Sequence, residues 1–169
     1  MKIFLLDADV IIWCAENDKL DSLFKGKKIK IPEVIYEQIK HKKDRETGEK
    51  KGIPLQKYIK DGSLEIIDNP ISNDIKEIMD IYKRCPELPQ IHHGEIECIT
   101  LLKQNSNYRF CTGDRAPMKI LGYLFLSEQA VSLEELVGRI RNLRVDFTKK
   151  YMQKYLEEGS SFGVQYREK

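Results

Sequence analysis

Acidic side chains follow two apolar segments of this 169-residue chain. Asp7 comes directly after Ile3-Phe4-Leu5-Leu6, and Asp114 comes three positions after the segment Tyr108 to Cys111. Short apolar runs with a polar boundary are typical of buried strands in parallel sheets. The carboxyl ends of parallel strands share the edge of the sheet at which such folds bind ligands. We therefore expect these two carboxylates to lie close together at that edge.

A third acidic residue lies on the apolar side of a predicted helix. Glu95 is in the first turn of a helix predicted over Gly94 to Lys103, and apolar residues follow it three, four and seven positions later. A carboxylate on such a stripe needs a charged partner or a bound cation. The alternative for Glu95 is that it only stabilises the N-terminus of its helix.

Three further acidic residues are weaker candidates on spacing alone. Glu37 lies in a predicted helix, where Lys40 and His41 offer ion pairs at i+3 and i+4 on a solvated face. Asp9 fits the N-cap of the first predicted helix better than Asp7 does. Glu97 lies on the side of its helix that carries Thr100 and Leu101, and it is a weaker candidate than Glu95.

The acidic residues together predict a site for a divalent cation. Carboxylate oxygens are hard ligands that suit Mg²⁺ or Mn²⁺. Without a cation, such a cluster is unfavourable because of mutual repulsion and desolvation. With one, it activates a water for attack on a phosphodiester. The predicted catalytic and metal-binding residues are Asp7, Glu37, Glu95 and Asp114, with Asp9 and Glu97 as further candidates.

Predicted strands alternate with predicted helices over the first 127 residues. The strands are predicted at 2–6, 28–31, 64–67, 108–111 and 123–126. This alternation predicts an α/β fold with a mostly parallel sheet that is covered by helices on both faces. Beyond it we expect a helix capped by Ser132, a basic amphipathic helix from Asp146 to Leu156, and a mobile tail from Gly159.

Four short motifs resemble those of the PIN-domain nuclease family and occur in the family's order. They are Asp7-Ala8-Asp9-Val10-Ile11-Ile12, Ile31-Pro32-Glu33-Val34-Ile35-Tyr36-Glu37-Gln38-Ile39, Gly94-Glu95-Ile96-Glu97-Cys98-Ile99-Thr100-Leu101 and Thr112-Gly113-Asp114-Arg115. The acidic residue of the family's second motif falls on Glu37. The resemblance therefore favours Glu37 as a ligand, where spacing alone favours a surface ion pair.

The resemblance implies a three-layer α/β/α sandwich over residues 1–131, with 132–169 as a helical C-terminal extension and tail. It also implies a Mg²⁺- or Mn²⁺-dependent endoribonuclease. Many PIN-domain proteins are VapC-type toxins paired with an antitoxin protein, and others process or degrade RNA. The alternative is a non-catalytic PIN-fold module that binds RNA or a protein partner. The complete acidic set favours the nuclease, because a binding module gains nothing from mutually repelling carboxylates.

Charge is distributed unevenly, although the formal net charge is only +2. That small value excludes a purely electrostatic nucleic-acid binder of the histone type. Basic residues are concentrated between Lys25 and Lys60, and a metal-dependent nuclease needs cationic surface beside its acidic site. The alternative is an ordinary solvated face. The predicted substrate-binding residues are Lys40, Lys42, Lys43, Arg45, Thr112 and Arg115.

Histidines and aromatic residues give further expectations. His92 and His93 precede Glu95, and we expect His93 to cap the helix or contact substrate. A zinc hydrolase is disfavoured, because no third ligand follows at recognisable spacing. Aromatic side chains near the C-terminus are expected to pack against the domain or a second subunit in a homodimer, with stacking on RNA bases as the alternative. They are Tyr151, Tyr155 and Phe162.

The sequence predicts a cytoplasmic protein without a membrane segment. No apolar run approaches the roughly 18 residues that span a bilayer, and Asp7 interrupts the apolar N-terminal run. The four cysteines, which are not spaced as Cys-x-x-Cys, are expected to be reduced thiols.

Overall fold

The computed structural model describes residues 2–41, 52–68, 72–84, 90–137 and 153–167. Four strands form its sheet: β1 (Ile3–Leu6), β2 (Lys28–Pro32), β3 (Leu64–Ile67) and β4 (Tyr108–Cys111). Their order is β3-β2-β1-β4, and each neighbouring pair is parallel. The predicted α/β class with a parallel sheet is therefore confirmed.

Helices follow each strand and flank the sheet. They are α1 (Ala8–Glu16), α2 (Leu20–Phe24), α3 (Glu33–Lys40), α4 (Gln56–Lys60), α5 (Ser72–Arg84), α6 (His93–Gln104), α7 (Arg115–Tyr123), α8 (Leu133–Val137) and α9 (Gln153–Arg167). A single 3₁₀ turn at Ser127–Gln129 follows α7 in the described chain. The short α2 was not expected from the sequence; it buries Leu23 and Phe24.

The hydrophobic core includes residues of β1 and of α6, which is buried along most of its length. Leu5 and Leu6 in β1 and Phe110 in the neighbouring β4 are fully buried. Residues 94–102 of α6 are buried without exception, although Glu95 and Glu97 are among them. Such a helix would ordinarily be apolar on all sides, so its two glutamates are the feature of the core that needs an explanation.

Two sequence expectations about local structure are wrong. Residues 123–126 do not form a strand: α7 continues to Tyr123, and Phe125 has a left-handed φ of 58° that no strand residue adopts. A four-residue apolar run has no periodicity to separate a strand from a helix end. Asp7, and not Asp9, caps α1, because its Oδ1 accepts a hydrogen bond from the Ala8 N–H at 2.6 Å.

The expectation of a mobile tail from Gly159 is also wrong as far as Arg167, because α9 packs along α7. A Cβ atom built on Gly163 would lie 2.0 Å from the backbone oxygen of Lys119, and one on Gly122 would lie 2.1 Å from the Ser160 oxygen. The two helices therefore approach through their backbones. Of the basic helix predicted over 146–156, residues 146–152 lie outside the described residues.

Two compositional expectations can be compared with the described part of the chain. None of its helices combines the length and apolar composition needed to cross a bilayer. Cys14, Cys98 and Cys111 are buried free thiols, as expected. Burial raises the pKa of Cys14 to about 12, so its thiol is neutral and unreactive at physiological pH.

Candidate metal centre

Two aspartates meet at the carboxyl edge of the sheet, and a threonine joins them. Asp7 follows β1 and Asp114 follows β4, the neighbouring strand. The Thr112 hydroxyl donates to Asp7 Oδ2 at 3.1 Å, and the Asp114 N–H donates to the same hydroxyl oxygen at 3.1 Å. The parallel register of β1 and β4 thus converts two positions far apart in sequence into one polar site.

Glu95 enters this site from α6 as a fully buried carboxylate. Its Oε2 accepts a hydrogen bond from the His92 N–H at 2.7 Å, which fixes the side chain against the start of the helix. Its Oε1 is buried and has no hydrogen-bond partner among the described residues. An orphaned carboxylate oxygen in a protein interior is costly, and a bound cation would satisfy it.

Histidine joins the acidic residues in this cluster. One ligand atom from each of His92, Glu95 and Asp114 lies within 4.8 Å of the other two. Among the described residues, no other set of three His, Cys, Asp or Glu side chains lies close enough together to share one ion. Two carboxylates and an imidazole are ligand types that Mn²⁺ and other first-row metals accept.

The electrostatics show that these carboxylates act on one another. Burial, followed by the negative charges of Asp7, Asp114 and Asp9, raises the pKa of Glu95 from its ordinary 4.5 to about 8, against the opposing effect of the hydrogen bond from the His92 N–H. Burial and, after it, the charges of Asp114 and Asp9 together raise the pKa of Asp7 to about 6. A cation would replace the proton that this cluster otherwise favours.

Glu37 lies on α3 in a different setting. Its Oε1 is 3.3 Å from the Lys40 ammonium, and its Oε2 is 3.0 Å from His41 Nε2. Its side chain is 43% exposed, and it is not among the charges that raise the pKa of Asp7 or Glu95. The structure therefore shows the surface pairing that spacing favours, and a metal-binding role for Glu37 stays a prediction.

Glu97 faces a second group of charges on the other side of α6. His93 Nδ1 lies 3.4 Å from its Oε1. Burial raises the pKa of Glu97, and the charges of Asp68 and Glu33 act in the same direction. Asp9, by contrast, belongs beside the metal cluster, since its charge raises the pKa of both Asp7 and Glu95. Of the two further candidates, only Asp9 has an electrostatic effect on Asp7.

The predicted substrate-binding residues separate into three settings. Thr112 is buried and contacts Asp7 and Asp114, so it orients these carboxylates. Arg115 is exposed at the start of α7, with its guanidinium 5.2 Å from the centre of the Tyr155 ring. Lys40 pairs with Glu37. Lys42, Lys43 and Arg45 lie outside the described residues.

Cation–aromatic pairs continue from Arg115 along α7 and α9. The Lys119 ammonium lies 3.8 Å from the centre of the Phe162 ring, and the Arg167 guanidinium lies 4.2 Å from that of Phe125. The expectation that Tyr155 and Phe162 pack against the domain agrees with these contacts. Because Phe125 is 63% exposed, the last pair presents both a ring and a charge to solvent.

His92 was noted in the sequence as a neighbour of Glu95, but its place beside Asp114 was not expected. His93 was expected to cap the helix or contact substrate, but α6 begins at His93, and the N-cap residue is His92, in extended conformation. The available signal was its position three residues before Glu95, which is the spacing at which an N-cap residue meets the first turn of a helix. That spacing does not show that the imidazole also approaches Asp114, because this contact depends on how α6 packs beside the end of β4.

Comparison of the chain with protein-family models, curated proteins and solved structures gave no match.

Proposed function

We propose that this chain is a Mg²⁺- or Mn²⁺-dependent endoribonuclease of PIN-like α/β/α architecture, with its metal centre at Asp7, Glu95 and Asp114. The observation that carries the proposal is the buried Glu95, whose Oε1 has no partner in the described chain while three like charges raise its pKa. Without a cation, this buried carboxyl either keeps a proton or carries an uncompensated charge. The donor set is dominated by carboxylate oxygens and fits a hard divalent ion.

The fold and the order of the motifs support the same proposal. Four parallel strands flanked by helices are compatible with a three-layer sandwich. Three of the four PIN-like motifs supply the acidic residues of the cluster. The second motif supplies Glu37, whose present partners are Lys40 and His41.

A divalent ion at this site would activate water and stabilise charge on the scissile phosphate. The chain's own residues prepare the site in separate ways. The Ala8 N–H and the Thr112 hydroxyl hold the two oxygens of Asp7. The His92 N–H holds one oxygen of Glu95 and leaves the other without a partner in the described structure. Fixed ligands of this kind reduce the reorganisation that catalysis requires.

Single-stranded RNA is the substrate class that the neighbouring surface favours. Arg115 follows Asp114 directly, so its charge is available for a phosphate beside the acidic cluster. Cations next to aromatic rings suit a strand whose phosphates and bases are both accessible. Lys40, Lys42, Lys43 and Arg45 remain predicted contributors to the same binding. Either RNA processing or the role of a toxin neutralised by an antitoxin protein would use this activity.

Cleavage assays with an isosteric variant test the proposal. Asp7→Asn retains an oxygen that can accept from the Ala8 N–H, so the cap of α1 is preserved. Cleavage of a mixture of single-stranded RNAs should require Mn²⁺ or Mg²⁺ and should fall at least about a hundredfold in the variant. Asp80→Asn is the control, because Asp80 pairs with Lys83 on the surface of α5. Undiminished cleavage in EDTA or in Asp7→Asn would refute the mechanism, and metal-independent RNA binding without cleavage would favour the non-catalytic module.

A further inference from the structure

We infer that the His92 imidazole is a ligand of the metal centre and shifts its preference from Mg²⁺ towards Mn²⁺. This inference rests on the proposed function, because it concerns the ion at Glu95 and Asp114. It adds a nitrogen donor to a set that the sequence predicts to be entirely carboxylate. It also gives the centre a selectivity that carboxylates alone would not supply.

The position of the imidazole is the first support. Ligand atoms of His92, Glu95 and Asp114 lie within 4.8 Å of one another. His92 Nδ1 is 3.5 Å from Glu95 Oε2, at the upper limit for a hydrogen bond. The His92 side chain is 57% exposed, so packing in the core does not force its ring towards the two carboxylates. The ring lies where one ion would contact all three side chains.

The orphaned oxygen of Glu95 is a second and independent support. An ion pair between His92 and Glu95 would concern Oε2, which already accepts the His92 N–H. It would leave Oε1 buried without a partner in the described chain. A cation shared with the imidazole accounts for both observations, whereas a simple ion pair accounts for one.

The chemistry of the donors gives the direction of the preference. Mg²⁺ prefers oxygen ligands in octahedral geometry and gives up its water reluctantly. Mn²⁺ is the first member of the first-row series whose affinity for a given nitrogen site rises towards Cu²⁺, and it accepts imidazole nitrogen more readily than the harder Mg²⁺ does. Loss of the imidazole should therefore weaken Mn²⁺ binding more than Mg²⁺ binding.

The adjacent histidine provides a matched control. His93 is 61% exposed, close to the value for His92, and it also lies beside a buried glutamate, Glu97. Its ring is not part of the group that includes Asp114. His92→Gln and His93→Gln therefore remove the same chemical group from neighbouring positions, and only the first should affect the metal.

Pulsed electron paramagnetic resonance of the full chain loaded with Mn²⁺ tests the inference directly. A directly bonded imidazole gives a ¹⁴N coupling, which we expect in the wild type and in His93→Gln but not in His92→Gln. Titration should show Mn²⁺ affinity at least about tenfold weaker in His92→Gln, since even the loss of an indirect partner of a metal ligand commonly costs that much. Competition with Mg²⁺ should show a smaller change in Mg²⁺ affinity.

The outcomes separate this inference from the proposed function. Two results would overturn His92 as the ligand and leave the carboxylate centre intact. One is wild-type protein that binds Mn²⁺ without ¹⁴N coupling, and the other is a His93→Gln variant that binds Mn²⁺ but lacks the coupling. Wild-type protein that binds neither ion would overturn both. If His92→Gln fails to fold, the wild-type and His93→Gln spectra still decide the assignment.

Discussion

The hydroxyl of Thr112 donates a hydrogen bond to Asp7 Oδ2 across the ends of β4 and β1. The register that pairs Leu6 with Cys111 brings these two residues together. The bond lowers the pKa of Asp7 against the larger effect of burial, and the net result of all its surroundings is a pKa raised to about 6. Thr112 therefore helps to keep Asp7 ionised, as a metal ligand must be near neutral pH.

Replacing Thr112 should weaken metal binding in a pH-dependent way. Thr112→Val removes the hydroxyl, so the pKa of Asp7 rises and more of this carboxyl is protonated at about pH 6.5. We expect Mn²⁺ affinity to fall several-fold there, and the difference from wild type to shrink at about pH 9, where Asp7 is ionised in both proteins. Calorimetric titration at both pH values measures this.

Thr100→Val is the control for this experiment. Thr100 is also fully buried, but its hydroxyl donates to the Ile96 oxygen within α6. It should leave Mn²⁺ affinity unchanged at both pH values. An equal loss for Thr112→Val at both pH values would contradict the electrostatic role and leave only an orienting one.

The metal-free protein should become less stable as the pH rises. Between the ordinary pKa of a glutamate, 4.5, and about 8, folded Glu95 holds a proton that the unfolded chain releases. Asp7 behaves in the same way between 3.8 and about 6. Because the folded state binds more protons, the free energy of unfolding falls as the pH rises through these ranges.

Thermal unfolding in the presence of a chelator tests whether stability falls as the pH rises. We expect the Tm of Glu95→Gln to fall less between about pH 5 and pH 8.5 than that of wild type, because the amide does not titrate. Glu128→Gln, a change of an exposed residue in the 3₁₀ turn, should follow the wild-type curve. A parallel pH dependence of wild type and Glu95→Gln would show that Glu95 does not carry the effect.

Arg115 should contribute to RNA binding more than to the chemical step. Its replacement by glutamine removes a charge beside Asp114, so we expect a several-fold higher KM for RNA with kcat nearly unchanged. The salt dependence of binding should flatten by about 0.7 per lost phosphate contact on a single strand. Filter binding over a range of salt concentrations, together with steady-state kinetics, measures both effects.

Arg109→Gln removes the same charge from within β4, whereas Arg115 is the first residue of α7. Arg109 pairs with Phe4 in the sheet, and its guanidinium donates to backbone oxygens of Ser106 and Tyr108. It precedes the carboxyl end of its strand and should leave KM and the salt slope unchanged. Equal effects of the two substitutions would mean that only the net charge of the protein matters.

The strands and their acidic ends could be predicted from sequence because the information is local. Before Asp7 and Asp114, a short strand-like segment closed by polar residues indicated both a strand and the edge at which it ends, whereas the same kind of pattern at 123–126 predicted a strand that the structure does not contain. Glu95 was found because helical periodicity showed a charge on an apolar stripe. These three residues required no knowledge of distant contacts.

The remaining features depend on contacts between distant segments. His92 was not predicted as the cap because the helix start was predicted one residue late, and its approach to Asp114 was not predicted because it exists only when α6 and β4 are packed together. The docking of α9 was missed for a similar reason. Glycines in a terminal segment look like breakers until their partner helix is known.

The close packing of α7 and α9 gives a prediction about stability. In Gly163→Ala, the new Cβ would lie 2.0 Å from the Lys119 oxygen and 2.9 Å from the Tyr123 nitrogen, both backbone atoms that cannot move aside like a flexible side chain. We expect a loss of about 1–3 kcal/mol in the free energy of unfolding from overpacking, although alanine favours a helix by about 1 kcal/mol over glycine. Ser161→Ala, at an exposed position of α9, should change it by less than about 0.5 kcal/mol. Urea denaturation followed by circular dichroism measures both variants. A Gly163→Ala variant as stable as wild type would mean that α9 does not approach α7 through this glycine.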